Sequence, residues 1–214
     1  MRGIERLPEP QILVDRKLLW LTNFLNSDKK RPDSNKYAHT SIKTQLNSMS
    51  FYKCFYCETK LKGEPKEVDH HIEVSVDKNL SYEWTNLFLA CDNCNNKIPH
   101  NSISIQDTLN PCSDTDESIQ DHITLNKEWI EPKGNSELGL RTIKKYRLDN
   151  ELLDTRRLKQ LSLFQDVLLK IKDNQIREQR QALNIEEQNI IDSFKRIDSP
   201  YSLMFKVLLE SNGL

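Results

Sequence analysis

The pattern of apolar and polar positions predicts helices on both sides of a central segment of different character. Residues 11–26 place their leucines and isoleucines largely on one side of a helix, and residues 40–50 predict a second, shorter helix. Residues 137–211 carry a long amphipathic leucine stripe, broken at Pro200 before a last helix over Leu203–Glu210. This stripe holds more apolar side chains than a small core can cover, so we expect part of it to dock on a partner or on a second copy of the chain.

The central segment, from residue 51 to about residue 98, loses the helical period. Residues 62–65 predict a turn, and residues 67–75 predict a short strand pair or a strand and loop. Residues 84–97 predict a loop that enters a helix. Residues 99–121 are acidic and contain no lysine or arginine, which predicts a linker or a partner-facing insert. The predicted organisation is an N-terminal helical segment, a core, an acidic linker and a C-terminal helical region, at residues 1–50, 51–100, 101–136 and 137–214.

Charge is distributed unevenly along a chain whose net charge is −1. Residues 1–50 carry 9 Lys and Arg against 5 Asp and Glu, residues 101–140 carry 2 against 8, and residues 141–180 carry 11 against 6. Two basic zones therefore flank an acidic insert, and a local basic face matters more for phosphate binding than the net charge. The N-terminus lacks the apolar run of a secretory signal, and no segment approaches the roughly 20 apolar residues of a membrane span. We therefore expect a cytoplasmic protein without membrane contact.

Four of the 5 cysteines form two C-x2-C pairs, Cys54 with Cys57 and Cys91 with Cys94, separated by 33 residues. An odd number of cysteines in this arrangement fits a reducing compartment and a metal site better than a disulfide framework. Four thiolates at this spacing predict a closed structural Zn²⁺ site, although all-sulfur coordination alone leaves iron open. The alternatives are two unrelated surface pairs or a redox-active pair. Cys112 is expected to be a plain thiol outside the site.

The loop between the cysteine pairs contains the residue types that phosphodiester hydrolysis requires. Asp69 offers a hard oxygen ligand for a divalent cation, and His70 offers an imidazole that can act as a base near neutral pH. Asn86 and Asn95 offer amide oxygens that can hold an imidazole tautomer or complete a metal shell. A lone Asp-His step is weak evidence, because most such histidines are packed or surface residues. Its place between two cysteine pairs makes catalytic use the favoured interpretation.

Two stretches resemble the HNH endonuclease family. The sequence VDHHIEVS at 68–75 is similar to the V-D-H-I-I-P-L-S stretch of that family, and residues 86–97 resemble its N-L-x-x-x-C-x-x-C-N-x-x-K stretch. The resemblance implies an α+β, mostly helical fold in which a small zinc-bound ββα-metal core is flanked by helices. It also implies site roles in an H-N-N variant of the family: His70 as general base, Asn86 holding this histidine and the loop, and Asp69 and Asn95 on one catalytic Mg²⁺ or Mn²⁺. Water attack opposite the 3′ oxygen would leave 5′-phosphate and 3′-hydroxyl ends.

Several positions depart from the family pattern or leave it open. Glu73 replaces the usual proline and could approach the metal, and Lys97 lies one position earlier than the family lysine. His71 could form a base-and-ligand pair with its neighbour. His100 could contact a phosphate, although a loop histidine without function is the plainer interpretation.

Residues on both sides of the nuclease core narrow the resemblance to one group within the HNH family. The first six residues, the stretch at 139–153 and the pair Arg156–Arg157 resemble the HNH subunits of Septu and retron-associated antiphage systems (PtuB-like), in which a G-x-x-T-I-x-x-x-x-L-N-x-x-x-L-x-x-x-R pattern follows the nuclease core. Asp149 stands where that pattern has asparagine. The resemblance implies an ABC-type ATPase subunit (PtuA-like) as partner and, in retron systems, a reverse transcriptase with its msDNA. From its residues alone, this basic flank is a solvated amphipathic helix, a phosphate-facing strip or a partner-docking helix.

The favoured function is a metal-dependent endonuclease that hydrolyses the phosphodiester bonds of DNA or RNA as the effector of such a complex. The alternatives are a zinc-bound nucleic-acid-binding or scaffold subunit with weak or no catalysis, and a stand-alone restriction-type or homing-type nuclease. The near-neutral net charge and the acidic insert count against strong DNA binding without a partner. The basic run Lys29–Arg31 is either a solvated loop or a phosphate contact.

Overall fold

A two-stranded antiparallel sheet carries the Asp-His step in the computed structural model, which describes residues 1–61, 63 and 66–211. Strand β1 (Glu67–His70) pairs with β2 (Leu87–Ala90), so that Asp69 lies opposite Phe88 and His70 opposite Leu87. All four residues of β2 are buried, which explains why this strand is a continuous apolar run without alternation. The turn predicted at residues 62–65 lies outside the described residues except for position 63.

Helices surround this sheet, and the predicted α+β, mostly helical class is confirmed. Side-chain caps mark the starts of several of them: Ser136 accepts from the backbone N–H of Gly139, and Asn184 and Glu187 form a reciprocal capping box. The helices are α1 (Gln11–Leu25), α2 (Ser34–Tyr37), α3 (Thr40–Ser50), α4 (Asp92–Asn95), α5 (Asp116–His122), α6 (Glu137–Lys145), α7 (Glu151–Arg177), α8 (Ile185–Lys195) and α9 (Ser202–Ser211).

The segment predicted as an acidic linker, residues 101–136, contains secondary structure of its own. After α5, strand β3 (Ile123–Asn126) forms a hairpin with β4 (Trp129–Pro132), and α6 packs closely against it. A Cβ atom added at Gly139 would lie 2.0 Å from the carbonyl oxygen of His122, so only glycine permits this approach of α6 to the end of α5.

Two clusters of buried side chains organise the interior. The larger one joins helices α1 and α3, both sheets and α6, and the smaller one lies among α7, α8 and α9. Part of the leucine stripe remains uncovered on α7, where Leu152, Leu158, Leu163 and Leu169 are exposed. Docking of this face on a partner stays a prediction.

Arg6 attaches the N-terminal segment to the sheet. Its guanidinium lies 5.2 Å from the ring centroid of Trp84 and 4.8 Å from that of Phe88, and it donates to the carbonyl oxygens of Trp84 and Leu87. These contacts satisfy backbone acceptors beside β2 and cover the sheet edge. In the part of the chain that is described, no helix has both the length and the apolarity needed to cross a bilayer.

Candidate active site and metal centre

The four paired cysteines converge on one point. Their sulfur atoms all lie within 4.8 Å of one another, and each residue is buried. The Sγ atoms of Cys57 and Cys91 are 3.6 Å apart, close to the separation of about 3.8 Å that a tetrahedral Zn²⁺ with Zn–S bonds of about 2.3 Å would impose. The closed set of four sulfurs leaves no place for a substrate, so the arrangement fits a structural metal ion.

The surroundings of these thiols favour metal binding over free sulfhydryl groups. Burial raises the pKa of Cys54 and of Cys94 well above its usual value, whereas at Cys57 burial is outweighed by the hydrogen bonds of the other three sulfurs, which lower the pKa well below it. Buried neutral thiols offer only weak hydrogen bonds. A metal ion would hold all four as thiolates and close the loop between the pairs. Cys112 lies elsewhere, where the guanidinium of Arg6 donates to its sulfur at 3.2 Å.

Asp69 is a buried carboxylate held by a cation and a hydroxyl group. The Nζ atom of Lys97 lies 2.8 and 2.6 Å from its two oxygens, and the hydroxyl of Tyr56 donates to Oδ2 at 2.7 Å. The same ammonium lies 2.6 Å from the carbonyl oxygen of His70 and 3.1 Å from that of His71. Four oxygens therefore surround one cation, and both charged side chains are at least 93% buried, with 5% and 7% exposure.

His70 is fixed in one tautomer by the backbone. Its Nε2 atom lies 2.9 Å from the carbonyl oxygen of Ser81, and a carbonyl oxygen only accepts, so Nε2 carries the proton and Nδ1 keeps the lone pair. Burial lowers the pKa of His70, while the bond to Ser81 and the charge of Asp69 oppose that shift. The ring of Tyr37 packs on the imidazole with the centroids 4.5 Å apart. The result is a neutral, oriented imidazole with one free nitrogen.

His71 has a different environment from its neighbour. It lies just beyond the end of β1 and stacks on Phe88, with the centroids 4.3 Å apart and the ring planes at 7°. The hydroxyls of Tyr56 and Tyr146 each lie 3.4 Å from its Nδ1 atom. Burial lowers the pKa of His71 to about 3, which keeps this imidazole neutral in the core.

Asn86 holds the loop that follows β1. Its Oδ1 atom accepts from the backbone N–H of Ile72 at 2.7 Å, and its Nδ2 atom donates to the carbonyl oxygens of Ile72 and Leu80, both at 3.1 Å. This buried amide bonds backbone groups at both ends of the loop from Ile72 to Leu80, whereas the His70 imidazole is held by the carbonyl of Ser81. Asn86 therefore shapes the loop. Within the described part of the chain, it makes no hydrogen bond to the imidazole of His70.

A groove of about 490 Å³ brings three of the predicted site residues to one surface: Asp69, His70 and Asn95 all line it, together with Lys97. Asn95 is exposed on α4, beside the cysteine centre. Glu73 also lines the groove, but its Oε1 atom accepts from the buried Lys145 ammonium at 2.6 Å.

His100, which the sequence left open as a phosphate contact, is not among the described residues that line this groove. Sequence reasoning missed the Tyr56 hydroxyl and the Ser81 carbonyl, and it noted Lys97 as a near match to the family lysine without its pairing to Asp69. Tyr56 stands inside the first cysteine pair and Lys97 three residues after Cys94, so both contacts with Asp69 could have been suspected from the spacing. A backbone carbonyl such as that of Ser81 leaves no signal in residue type.

Comparison with known proteins agrees with this geometry. Residues 54–101, which contain both cysteine pairs and the groove residues of β1 and α4, match the family model described as HNH endonuclease. The HNH resemblance read from the sequence is thereby confirmed for this segment.

A curated relative extends the similarity beyond the domain. The Septu protein PtuB of Bacillus thuringiensis is 30% identical over 117 residues, which cover 54% of this chain and 44% of that relative. The chain thus spans less than half the length of the relative it matches.

Proposed function

We propose that this protein is a metal-dependent endonuclease that hydrolyses phosphodiester bonds of nucleic acid. The observation that carries the proposal is His70: a neutral imidazole, fixed in one tautomer by Ser81, beside the carboxylate of Asp69 in an HNH domain. A general base needs an unprotonated nitrogen at neutral pH and a partner that prevents the ring from rotating. His70 has both.

The base acts on water and the phosphodiester accepts the nucleophile. Nδ1 of His70 takes a proton from water as the water oxygen bonds to phosphorus, and the bond from phosphorus to the 3′ oxygen breaks. The 3′ oxygen leaves with a proton from solvent, so the products carry 5′-phosphate and 3′-hydroxyl ends. Asn86 contributes indirectly, because its three hydrogen bonds hold the loop that directly follows the Asp-His step of β1.

The donor set of the groove fits a hard cation. The carboxylate of Asp69 and the carbonyls of His70 and His71 already surround the ammonium of Lys97 at 2.6–3.1 Å, and the amide of Asn95 lines the same groove. Asp69 and Asn95 would hold Mg²⁺ or Mn²⁺, which supplies charge stabilisation to the phosphoryl group and the leaving oxygen. Lys97 must move away from Asp69 before that carboxylate can bind another cation.

Structural Zn²⁺ is the second metal of the proposal. Cys54, Cys57, Cys91 and Cys94 offer four sulfurs within 4.8 Å of one another, a cluster that one tetrahedral zinc ion can bind. Zinc there would join the turn before β1 to the start of α4 and so set the positions of Asp69 and Asn95 relative to each other.

The relative's name supports a place in Septu antiphage defence. We extend the proposal to an effector nuclease that works with an ABC-type ATPase subunit of the PtuA-like kind, in the cytoplasm of a bacterium. A reverse transcriptase with msDNA is not part of the proposal, because the relative is named as a Septu protein and not as a retron component.

One observation favours a second candidate function. Lys97 already neutralises Asp69, as expected if the domain binds nucleic acid without cleaving it. A binding or scaffold subunit with the same zinc centre is therefore the alternative.

A cleavage assay with the purified chain distinguishes the nuclease from the binding or scaffold subunit. The chain, alone and with the ATPase encoded beside it, is incubated with plasmid DNA and with tRNA in Mg²⁺, in Mn²⁺ and in metal-free buffer. The nuclease proposal expects metal-dependent cleavage whose fragments are joined by a ligase without prior kinase treatment. Binding without cleavage under every one of these conditions would favour the scaffold.

A further inference from the structure

The loop between α1 and α2 forms one wall of the groove that contains His70. Lys30, Arg31 and Pro32 line this groove together with residues of β1 and α4. Pro32 is buried, and the carbonyl oxygen of the neighbouring Lys29 lies 3.5 Å from the ammonium of Lys78. The wall therefore belongs to the N-terminal segment, outside the residues 54–101 that match the nuclease family.

Asp33 divides the basic residues of this wall into two kinds. Its carboxylate pairs with Lys29 at 2.5 Å and with Lys36 at 3.1 Å. Across the described ranges, Lys30 and Arg31 make neither an ion pair nor a side-chain hydrogen bond, and both are exposed. Two cations in the groove wall are thus left without a protein partner, while their neighbours are neutralised.

The other charges of the groove do not cancel these two cations. The carboxylates of Asp69 and Glu73 are already paired, with Lys97 and Lys145 respectively. Glu67, at the start of β1, is an exposed carboxylate in the same groove, one negative charge against the two of Lys30 and Arg31. The free charge of the groove is therefore positive on the side of Lys30 and Arg31, and a polyanion entering the groove meets it there.

A single side chain connects this wall to the base. Tyr37, on α2, packs its ring on the imidazole of His70 with the centroids 4.5 Å apart. Burial and then the charge of Glu67 raise the pKa of this tyrosine, and the nearby charge of Arg31 opposes that shift. Arg31 and the imidazole of His70 thus both lie near the Tyr37 ring in one groove, so a phosphate bound at Arg31 would share the groove that contains His70.

We propose that Lys30 and Arg31 form a phosphate subsite that binds the nucleic-acid backbone beside the scissile bond and positions the strand over His70. The inference rests on the proposed nuclease function and extends it to a segment outside the HNH domain. Lysine and arginine contact backbone phosphates without reading sequence. The subsite therefore supplies affinity and register and leaves base preference to other residues.

The test measures binding in a background that does not cleave. Full-length His70→Ala protein, with and without the additional change Lys30→Ala/Arg31→Ala, is titrated into a fluorescent DNA duplex and a fluorescent RNA hairpin at several salt concentrations. Each lost phosphate contact lowers the slope of log Kd against log salt by about 0.7–0.9. We expect the slope to fall by about 1.4–1.8 with the probe that is the substrate class, and by less with the other.

Lys29→Ala is the matched control, because it removes a cation from the same run that Asp33 already neutralises. It is expected to leave the slope unchanged, and circular dichroism melting should show all variants equally folded, since the changed residues are exposed or paired at the surface. An unchanged slope and Kd in the double variant would overturn the subsite, as would a parent protein that binds neither probe.

Cleavage assays keep the two proposals apart, with Lys30→Ala/Arg31→Ala made this time in the wild-type chain. If the change weakens binding in the His70→Ala background while the wild-type chain cleaves nothing, the phosphate subsite stands and the nuclease proposal fails. If the wild-type chain cleaves, and Lys30→Ala/Arg31→Ala neither weakens binding in the His70→Ala background nor slows cleavage in the wild-type chain, the nuclease proposal stands and the subsite fails.

Discussion

Replacing Lys97 by methionine is the most informative single change in the groove. Methionine keeps most of the apolar stem and removes the ammonium that contacts both oxygens of Asp69 and two backbone carbonyls. Among the residues that the structure describes, the carboxylate would keep the hydroxyl of Tyr56 as its hydrogen-bond partner. Because both charged side chains are almost fully buried, water cannot replace the lost cation without a rearrangement of the groove.

The expected cost follows from this burial. Removing one partner of a buried ion pair costs about 3–5 kcal/mol, because the remaining charge is left without compensation. For a chain of this size each kcal/mol shifts Tm by about 2–4 °C, so Lys97→Met should lower Tm by about 6–20 °C. Lys195→Met is the control: its partner Asp192 lies 2.7 Å away but both side chains are more than one third exposed, and such a pair is worth about 0–1 kcal/mol.

The assay is thermal and urea unfolding followed by circular dichroism, in buffer freed of divalent ions by resin so that the cysteine-bound metal is retained. Addition of Mg²⁺ or Mn²⁺ should raise the Tm of Lys97→Met, since the vacated oxygens can take another cation, and should leave Lys195→Met unchanged. An exposed ion pair is worth up to about 1 kcal/mol. If the free energies of unfolding of Lys97→Met and Lys195→Met fall by amounts that agree to within about this value, the reasoning that a buried cation holds Asp69 is refuted. Lys97→Arg, which keeps the charge, should lose less than the methionine variant.

Three further changes test other parts of the account. Cys91→Ser should abolish metal retention and unfold the core, and a metal content near zero in folded wild-type protein would count against the zinc centre. Asn86→Ala removes three part-buried hydrogen bonds of a buried residue and should cost about 2–4 kcal/mol in urea unfolding; a loss below 1 kcal/mol would show that the loop does not depend on it. His71 is neutral when folded, with a pKa of about 3 against 6.5 unfolded, so its share of stability is complete above pH 6.5 and falls as pH decreases toward 3. Wild type should therefore lose about 1.4 kcal/mol more than His71→Phe between pH 8 and pH 5.5, and parallel pH curves would contradict this.

Helices and the metal centre were predictable from sequence because their signals are local. The amphipathic period over residues 11–26 predicted α1, and the stripe after residue 137 predicted the C-terminal helices, although not the breaks between α6, α7 and α8. The two cysteine pairs carry their own spacing, which sufficed to bring four sulfurs together. These features depend on residue type and on short separations along the chain.

Strands and cation partners were harder, because they depend on distant contacts. Strand β2 is buried on both faces and lacks the alternation that signals a strand. The hairpin of β3 and β4 lies in a segment whose acidic composition suggested a linker, but packing against α6 orders it. His70 and His71 differ in their surroundings through Ser81 at the first ring and Phe88 at the second, and neither contact is readable from a single sequence.

The central claim, that His70 is the base of a nuclease, is tested most directly by comparing the initial cleavage rates of wild type and His70→Ala on the same substrate. His39→Asn serves as the control, since His39 is the side-chain cap of α3 and asparagine can replace it in that role. The account predicts that His70→Ala loses about 10²–10⁴-fold in rate while zinc content and partner assembly remain those of wild type, and that His39→Asn cleaves normally. Full activity in His70→Ala, at unchanged zinc content, would contradict it.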